Sequence, residues 1–540
     1  MSVEMVLGSV LSTAGLARRR RRCGCVHMSS ERNAELGRMQ PFDYVIVGAG
    51  SAGCVLAARL SEDPQVRVLL VEAGAADGPE AMSVPPAWPA LMGSAADWGY
   101  VTTPQAGTNH IVQPYPRGKV LGGSSSINAM AFLRGHRAGY DGWAQDGASG
   151  WGYEDLLPFF KRSERAPGRH PDYRGAEGPM VVSPAADAHP LAYAYLEAAV
   201  EVGHRFSTDL NGDDQEGVGW LETNIVGGVR QSAADAYLSP VIDRSNLTVV
   251  LNALVGRLIL AGGRCSGIEY AVEGRLQRAG ADREVILSAG SIGSAQLLML
   301  SGIGPADHLR GLDIDVLVDL PGVGAGLQDH PLAGITYSAT APVPPAAGQH
   351  SDLIAMLRSN PDLPAPDVQL LFLDIAYHPP AIAGPTHGYS IGFSLMLPRS
   401  RGSVRLAGSD PTTAPLIDPN FLGDERDLAA MVTALRMARE VGESRALAPW
   451  RDKEQLPGVS VGDDGDLREY VRRATGPYFH AVGTCRIGHH PLAVVDTELR
   501  VHGISALRVV DASVMPRIIG ANPNATVLAI AERAASLING

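Results

Sequence analysis

Cysteine is scarce. The chain has five among 540 residues, Cys23, Cys25, Cys54, Cys265 and Cys485. They are scattered and odd in number, which argues against a disulfide framework and for a reducing compartment. A cytoplasmic protein is the expectation. Cys23 and Cys25 lack a second ligand pair at zinc-site spacing, so no metal is expected. Long apolar runs are missing too. No stretch reaches the roughly 18 residues needed to cross a bilayer, so no transmembrane segment is expected. Nor is there any basic excess. The formal net charge of −12 argues against a nucleic acid or an anionic membrane as partner. Internal repeats are absent. What is present is ordinary for a globular chain, with 45% hydrophobic and 19% charged residues. At this length one core does not suffice, and two or more domains are expected.

Residues 1–40 differ from the rest. Apolar Met5–Ala17 precedes five arginines, Arg18–Arg22. A secretory signal has the opposite order. The segment reads as a disordered leader, or as sequence upstream of a start at Met28 or Met39. An Arg-rich organelle transit peptide is the alternative.

Phe42-Asp-Tyr-Val-Ile-Val-Gly48 is a short apolar run rich in β-branched residues, as in a buried parallel strand. Gly48-Ala-Gly50-Ser-Ala-Gly53 follows at once, then the helix-forming Cys54–Leu60. Val66–Glu72 reads as a second buried strand ending in an acid. In this order each glycine has a task. Gly48 permits the tight turn, Gly50 lets a pyrophosphate approach the backbone, and Gly53 lets helix and strand pack closely. The N-terminus of the helix that follows offers free N–H groups and a positive dipole end to phosphate. Glu72 stands about twenty residues beyond Gly53, placed to accept ribose hydroxyls. These parts together predict adenine-dinucleotide binding, without choosing between FAD and NAD.

A second small-residue loop, Arg117-Gly-Lys-Val-Leu-Gly-Gly-Ser-Ser-Ser-Ile-Asn128-Ala-Met130, offers backbone N–H groups and hydroxyls. It resembles the first signature of the glucose–methanol–choline (GMC) flavin oxidoreductases. Gly290–Gly304 resembles their second, with Ala295 where proline or serine is usual. Asp97-Trp98, Leu320–His330, His480–Arg486, Arg508–Ser513 and Ala531–Arg533 match as well. The resemblance runs from Phe42 to the C-terminus. It implies an α/β, Rossmann-like FAD-binding domain plus an α+β substrate domain with an antiparallel sheet. We expect the FAD domain from residues 41–160, 205–310 and 475–540, and the substrate domain from 161–204 and 311–474. The patterns agree. Glu284–Gly290 and Leu507–Asp511 read as buried strands, and Val368–Leu373 and Tyr389–Met396 as strands of a sheet roofing the flavin. Pro342–His350 reads as a mobile loop or lid.

The resemblance further implies a FAD-dependent oxidation of a CH–OH group by hydride transfer to flavin N5. The matching catalytic residues are His480, a base with an ordinary pKa of about 6.5, and Asn522, whose amide can hold the substrate oxygen. His489 and His490 are decoys nearby. Asn524 is the fallback for Asn522 and is assigned to the flavin. Carried over likewise as cofactor contacts are Gly48, Gly50, Ser51, Ala52, Gly53, Glu72, Ala73, Trp98, Val120, Gly122, Ser126, Asn128, Ala129, Met130, Val255, Asp511, Ala512, Asn524 and Thr526. Val255 reads equally as strand core. Relatives that bind FAD covalently use a histidine just before the asparagine of the first signature. Ile127 stands there, so non-covalent FAD is expected.

A lyase or a fatty-acid photodecarboxylase on the same fold is the alternative; the photodecarboxylases lack the histidine that His480 supplies. Gln369, Phe372 and Phe393 are either pocket wall or sheet core. The partner is a small alcohol, with oxygen or a quinone or other redox carrier as electron acceptor.

Overall fold

The computed structural model describes residues 41–379 and 382–540. The leader, with Cys23 and Cys25, lies outside the described residues. Cys54, Cys265 and Cys485 are buried free thiols.

Phe42–Val47 is the central strand of the first sheet. Val68–Val71 lies parallel on one side and the end of Arg275–Leu287 on the other. Leu247–Val250 and Leu507–Val509 extend this parallel layer at its two edges. These are the short β-branched runs that a doubly covered sheet requires; the inner strands are buried over most of their length, and the edge strand Leu247–Val250 is only partly so beyond Leu247. The Arg275–Leu287 strand is 13 residues long. Its first half leaves the layer and pairs antiparallel with Arg264–Val272, which pairs with Ala253–Ala261. The Ser51–Leu60 helix packs against the C-terminal helix, Asn524–Asn539. Between them Arg59 reaches the buried carboxylate of Glu532 at 2.7 Å.

The second sheet is antiparallel throughout its main path. Its order is Arg451–Leu456, Pro331–Ala339, Tyr389–Leu395, Val368–Leu373, Leu353–Leu357 and Gly217–Trp220. The Glu425–Gly442 helix seals one face through Leu428, Met431, Val432 and Leu435. Strand alternation then sorts the residues left open above. Phe372 and Phe393 point to the helix side and belong to this second core. Gln369 points to the other face, toward the first sheet.

One expectation needs correction. Within residues 205–310, which the sequence places in the dinucleotide domain, Gly217–Trp220 pairs with Leu353–Leu357 and edges the second sheet. A Gly-Val-Gly-Trp run has little pattern of its own, and the open strand edge captures it.

Gly53 shows how tightly helix and strand meet. A methyl group there would lie 1.9 Å from the Gly48 carbonyl oxygen. Gly53→Ala is expected to cost about 1–3 kcal/mol, as overpacking does, and to lower the thermal midpoint. Gly139→Ala, on the Arg137–Gln145 helix where a methyl meets nothing within 4 Å, is expected to be neutral or stabilising. Paired melting curves check both.

Candidate active site

The two glycine loops dock on each other at the carboxyl end of the first sheet. Gly48 sits at φ +96° and its N–H bonds the Val71 carbonyl at 2.8 Å. The Gly122 N–H donates to the Ala49 carbonyl at 2.8 Å. Gly122 itself is left-handed, at φ +90°, and a methyl there would strike Ser126 Oγ at 2.3 Å. A methyl on Gly123 would lie 2.7 Å from the Gly50 Cα. Gly50 is different. A methyl there would find no protein atom nearer than 4.0 Å. The protein's own packing does not demand glycine at that position, whereas a closely approaching phosphate does. The helix beginning at Ser51 has no capping side chain and no acid in its first turn, which leaves its N-terminus open to an anion.

Around this turn the residues expected to contact FAD divide by what they touch. The buried Glu72 carboxylate accepts the N–H groups of Ala49 and Gly74, each at 2.8 Å. Burial raises its pKa. Each oxygen keeps a lone pair for a further donor. Ala73 follows it, and Ala253 N–H bonds the Glu72 carbonyl, so Val255 lies close behind in its strand. Asn524 Oδ1 accepts from Ser51 Oγ at 2.7 Å, and its Nδ2 is buried without a partner among the described residues. An orphaned donor beside an uncapped helix start fits a ligand there. Trp98 stacks on Tyr100 at 5.7 Å under the Lys119 ammonium. Val120 is buried and Ser126 Oγ bonds the Leu121 carbonyl. Asn128 Oδ1 accepts from Met130 N–H and the Arg230 guanidinium; Ala129 lies between, and Met130 is left-handed at φ +57°. Thr526 Oγ1 bonds Tyr140 Oη at 2.8 Å. The Asp511 carboxylate is already occupied by Gly290 N–H, Ser294 Oγ and Ser513 N–H. It ties the start of the Gly290–Leu300 helix to the chain at Ala512, so its side chain serves the fold first.

His480 and Asn522 come together at the junction of the two sheets. Asn522 Nδ2 lies 3.4 Å from His480 Nε2, while Asn524 faces Ser51. His489 and His490 are exposed. Gln369 joins the pair from the second sheet. Its Oε1 accepts from Tyr478 Oη at 2.7 Å and its Nε2 donates to Asn522 Oδ1 at 3.3 Å. The bonds run one way, from the Tyr478 hydroxyl through Gln369 to Asn522, and turn the Asn522 NH₂ toward His480. The Tyr478 ring lies on the imidazole, centroids 4.1 Å apart.

The most informative neighbour is one that the sequence left without a role. His330 Nδ1 is 2.8 Å from His480 Nδ1. Its Nε2 faces two carbonyl oxygens, Met396 at 3.0 Å and Ile519 at 3.1 Å. Nε2 must therefore carry a proton. Burial lowers the His330 pKa to about 3, so the ring is neutral and its Nδ1 is a bare acceptor. His480 must then donate from Nδ1, which leaves His480 Nε2 without a proton. Burial first, and then its neighbours His330 and Arg117, beside which a further positive charge is disfavoured, hold the His480 pKa well below the ordinary value. Its backbone is fixed as well. His480 N–H donates to buried Asp329 Oδ1 at 2.7 Å, whose Oδ2 accepts from Tyr115 Oη at 2.8 Å. Phe479 is left-handed at φ +65°, a strained state for a bulky residue, and the Arg117 guanidinium holds its carbonyl. The signal available in the sequence was the Asp329-His330 end of a matched motif, an acid beside a base in an apolar setting.

Pro342–His350 has no regular structure, yet its end is fastened. Gln349 O accepts from Trp88 Nε1 at 3.1 Å, and the His350 ring bridges Asp374 and the Pro86 carbonyl. Among the described residues no helix is long and apolar enough to cross a membrane, and no cluster of His, Cys, Asp or Glu is arranged to hold a metal ion.

Comparison with known proteins agrees with this geometry. The family model described as GMC oxidoreductase matches residues 42–332 with its N-terminal part and 398–531 with its C-terminal part. Mitochondrial choline dehydrogenase of Mus musculus is 41% identical over 92% of this chain and 89% of its own length. Oxygen-dependent choline dehydrogenase of Rhizobium johnstonii is 39% identical, over 92% and 95%. The crystal structure of pyridoxine 4-oxidase from Mesorbium loti superposes with a TM-score of 0.89 at 38% identity, over 92% and 98%. Formate oxidase of Aspergillus oryzae gives 0.86 at 28%, over 93% and 99%. Dehydrogenases and oxidases are the activities named, which gives the lyase and photodecarboxylase alternatives no support. A buried bare imidazole nitrogen beside a carboxamide, next to a dinucleotide cradle, in a chain matched along nearly all its described length, leads to one conclusion: the chain belongs to the GMC oxidoreductases and is an FAD-dependent alcohol oxidoreductase.

Proposed function

We propose that the chain oxidises a small primary alcohol to an aldehyde, with His480 as base and Asn522 holding the substrate oxygen. The observation that carries this is the protonation pattern forced by the two carbonyls on His330. It presents His480 Nε2 as a bare acceptor, next to the Asn522 amide donor. A hydroxyl placed between them donates its proton to Nε2 and accepts from Nδ2, so proton removal and orientation act on one oxygen. Bound FAD supplies the acceptor for the hydride that leaves the carbinol carbon. The chain's own residues bind, aim and dehydrate the substrate. Gln369 and Tyr478 wall the pair, and the second sheet roofs it. Glu72, Asn524 and the Ser51 helix start are proposed to hold the dinucleotide.

The FAD is proposed to be non-covalent. Ile127 packs with Leu91, Ala96 and Val120 and offers no nucleophile. By their names the choline dehydrogenases act on choline and the pyridoxine oxidase on pyridoxine, both of them primary alcohols, whereas formate oxidase acts on formate. Asp329 is turned away from the His480–Asn522 pair, toward the Tyr115 hydroxyl and the His480 N–H.

Mixing holoenzyme anaerobically with pyridoxine, benzyl alcohol and choline tests the reading. The flavin absorbance is expected to bleach with at least one primary alcohol; bleaching with none contradicts it. Readmitting air then separates use of oxygen from use of another acceptor. His480→Ala is expected to lower kcat/KM by about 10²- to 10⁴-fold, and Asn522→Ala by about 10- to 100-fold. Because the His480 pKa is depressed, the base is deprotonated at and above pH 6.5 and is lost only as pH falls well below it. The pH profile of kcat/KM is therefore expected to be level from pH 6.5 upward toward the alkaline limit, with no titration near 6.5. Acid precipitation is expected to release all FAD into the supernatant, read by absorbance.

A further inference from the structure

Away from the catalytic pair, three guanidinium groups share one open basin of about 440 Å³, lined by Arg401, Arg486, Arg517, His490, Asp146 and Pro516. Asp146 is the carboxylate among the lining residues. Asp146 is committed to Arg517, at 2.6 Å from Nε. Arg401 spends Nη1 on the carbonyls of Pro398, Arg399 and Ser400. Asp427, the other acid in range, already accepts Arg399 N–H, Ser400 N–H and Ser400 Oγ. Arg486 has no hydrogen-bond acceptor among the described residues. Its Nε is buried and unpartnered among the described residues, and the group lies flat on Gly326, where a methyl would come within 2.9 Å of Cζ. Leaving a desolvated guanidinium unpaired is costly. Desolvation lowers the Arg486 pKa, and desolvation followed by repulsion from Arg486 lowers that of Arg401 to about 10. In a chain of net charge −12, such a concentration of like charge calls for an anion.

We propose that this basin is a binding site for a phosphate group, either free inorganic phosphate or the head of a small phosphomonoester, held by Arg401, Arg486 and Arg517. Planar forked donors suit the several oxygens of a phosphate. Placement gives the site a consequence. Arg486 follows His480 on one segment, whose Cys485 and Ile487 N–H groups bond Ser513 and Val514. Arg517 stands on the segment that leads through Ile519, a partner of His330, to Asn522. Arg401 follows Pro398, whose carbonyl accepts from Gln328 Nε2, two residues before His330. A dianion in the basin cross-links the three segments whose other ends meet at the active site. The site stands on its own geometry, independent of the roles given to His480 and Asn522.

The test uses flavin-loaded full-length protein titrated with sodium phosphate, against sodium chloride at matched ionic strength, read by calorimetry and thermal midpoint. A saturable heat and a rise in midpoint are expected with phosphate and not with chloride. Binding is expected to weaken at least tenfold in Arg486→Gln, and similarly in Arg401→Gln, a rim position that serves if the first variant fails to fold. Tighter binding of glycerol 3-phosphate than of phosphate assigns the site to a phosphomonoester, and equal binding assigns it to the free ion. No saturable response beyond chloride, or an unchanged response in the folded variants, overturns the proposal.

Discussion

Two backbone carbonyls decide the chemistry of two histidines. Met396 and Ile519 both point at His330 Nε2, and everything downstream follows from the proton they hold there. His330 Nδ1 becomes an acceptor, His480 Nδ1 a donor, and His480 Nε2 a bare base. Burial prevents a second proton from entering either ring. The carbonyls come from opposite parts of the chain, one at the end of a strand of the second sheet and one in the segment before the C-terminal helix. The base is thus set by the meeting of the second sheet with the C-terminal segment rather than by any local loop.

The same docking orders the cofactor side. The second glycine loop is bonded to the first through Gly122 and Ala49, and the second loop in turn carries Arg117, which pins the strained Phe479 before His480. Asp511 closes another link, joining the Gly290–Leu300 helix to the C-terminal segment. The dinucleotide cradle and the catalytic pair therefore share braces. A change that loosens the glycine turns is felt at the histidine.

Local features were legible in the sequence. Phe42–Val47, the glycine turn and Glu72 are contiguous, and their spacing alone carries the dinucleotide reading. The strands at Val368 and Tyr389 showed their period. Their two faces could not be told apart, because only the Glu425–Gly442 helix, far along the chain, decides that Phe372 and Phe393 are core while Gln369 reaches the site. His480 and Asn522 stood out through family likeness, not through any local signal. The pairing of His330 with His480 spans 150 residues and that of Tyr115 with Asp329 spans 214; no window of sequence contains either. Gly217–Trp220 was misplaced for a similar reason, since its identity as a strand comes from its neighbour's open edge.

The tautomer of His480 tests the account most directly. Nitrogen-15 NMR of histidine-labelled holoenzyme at pH 7.5, with His480→Asn to assign the resonance, reports each ring nitrogen separately. The account predicts a protonated Nδ1 and an unprotonated Nε2 on His480. A protonated Nε2, or an imidazolium at that pH, contradicts it.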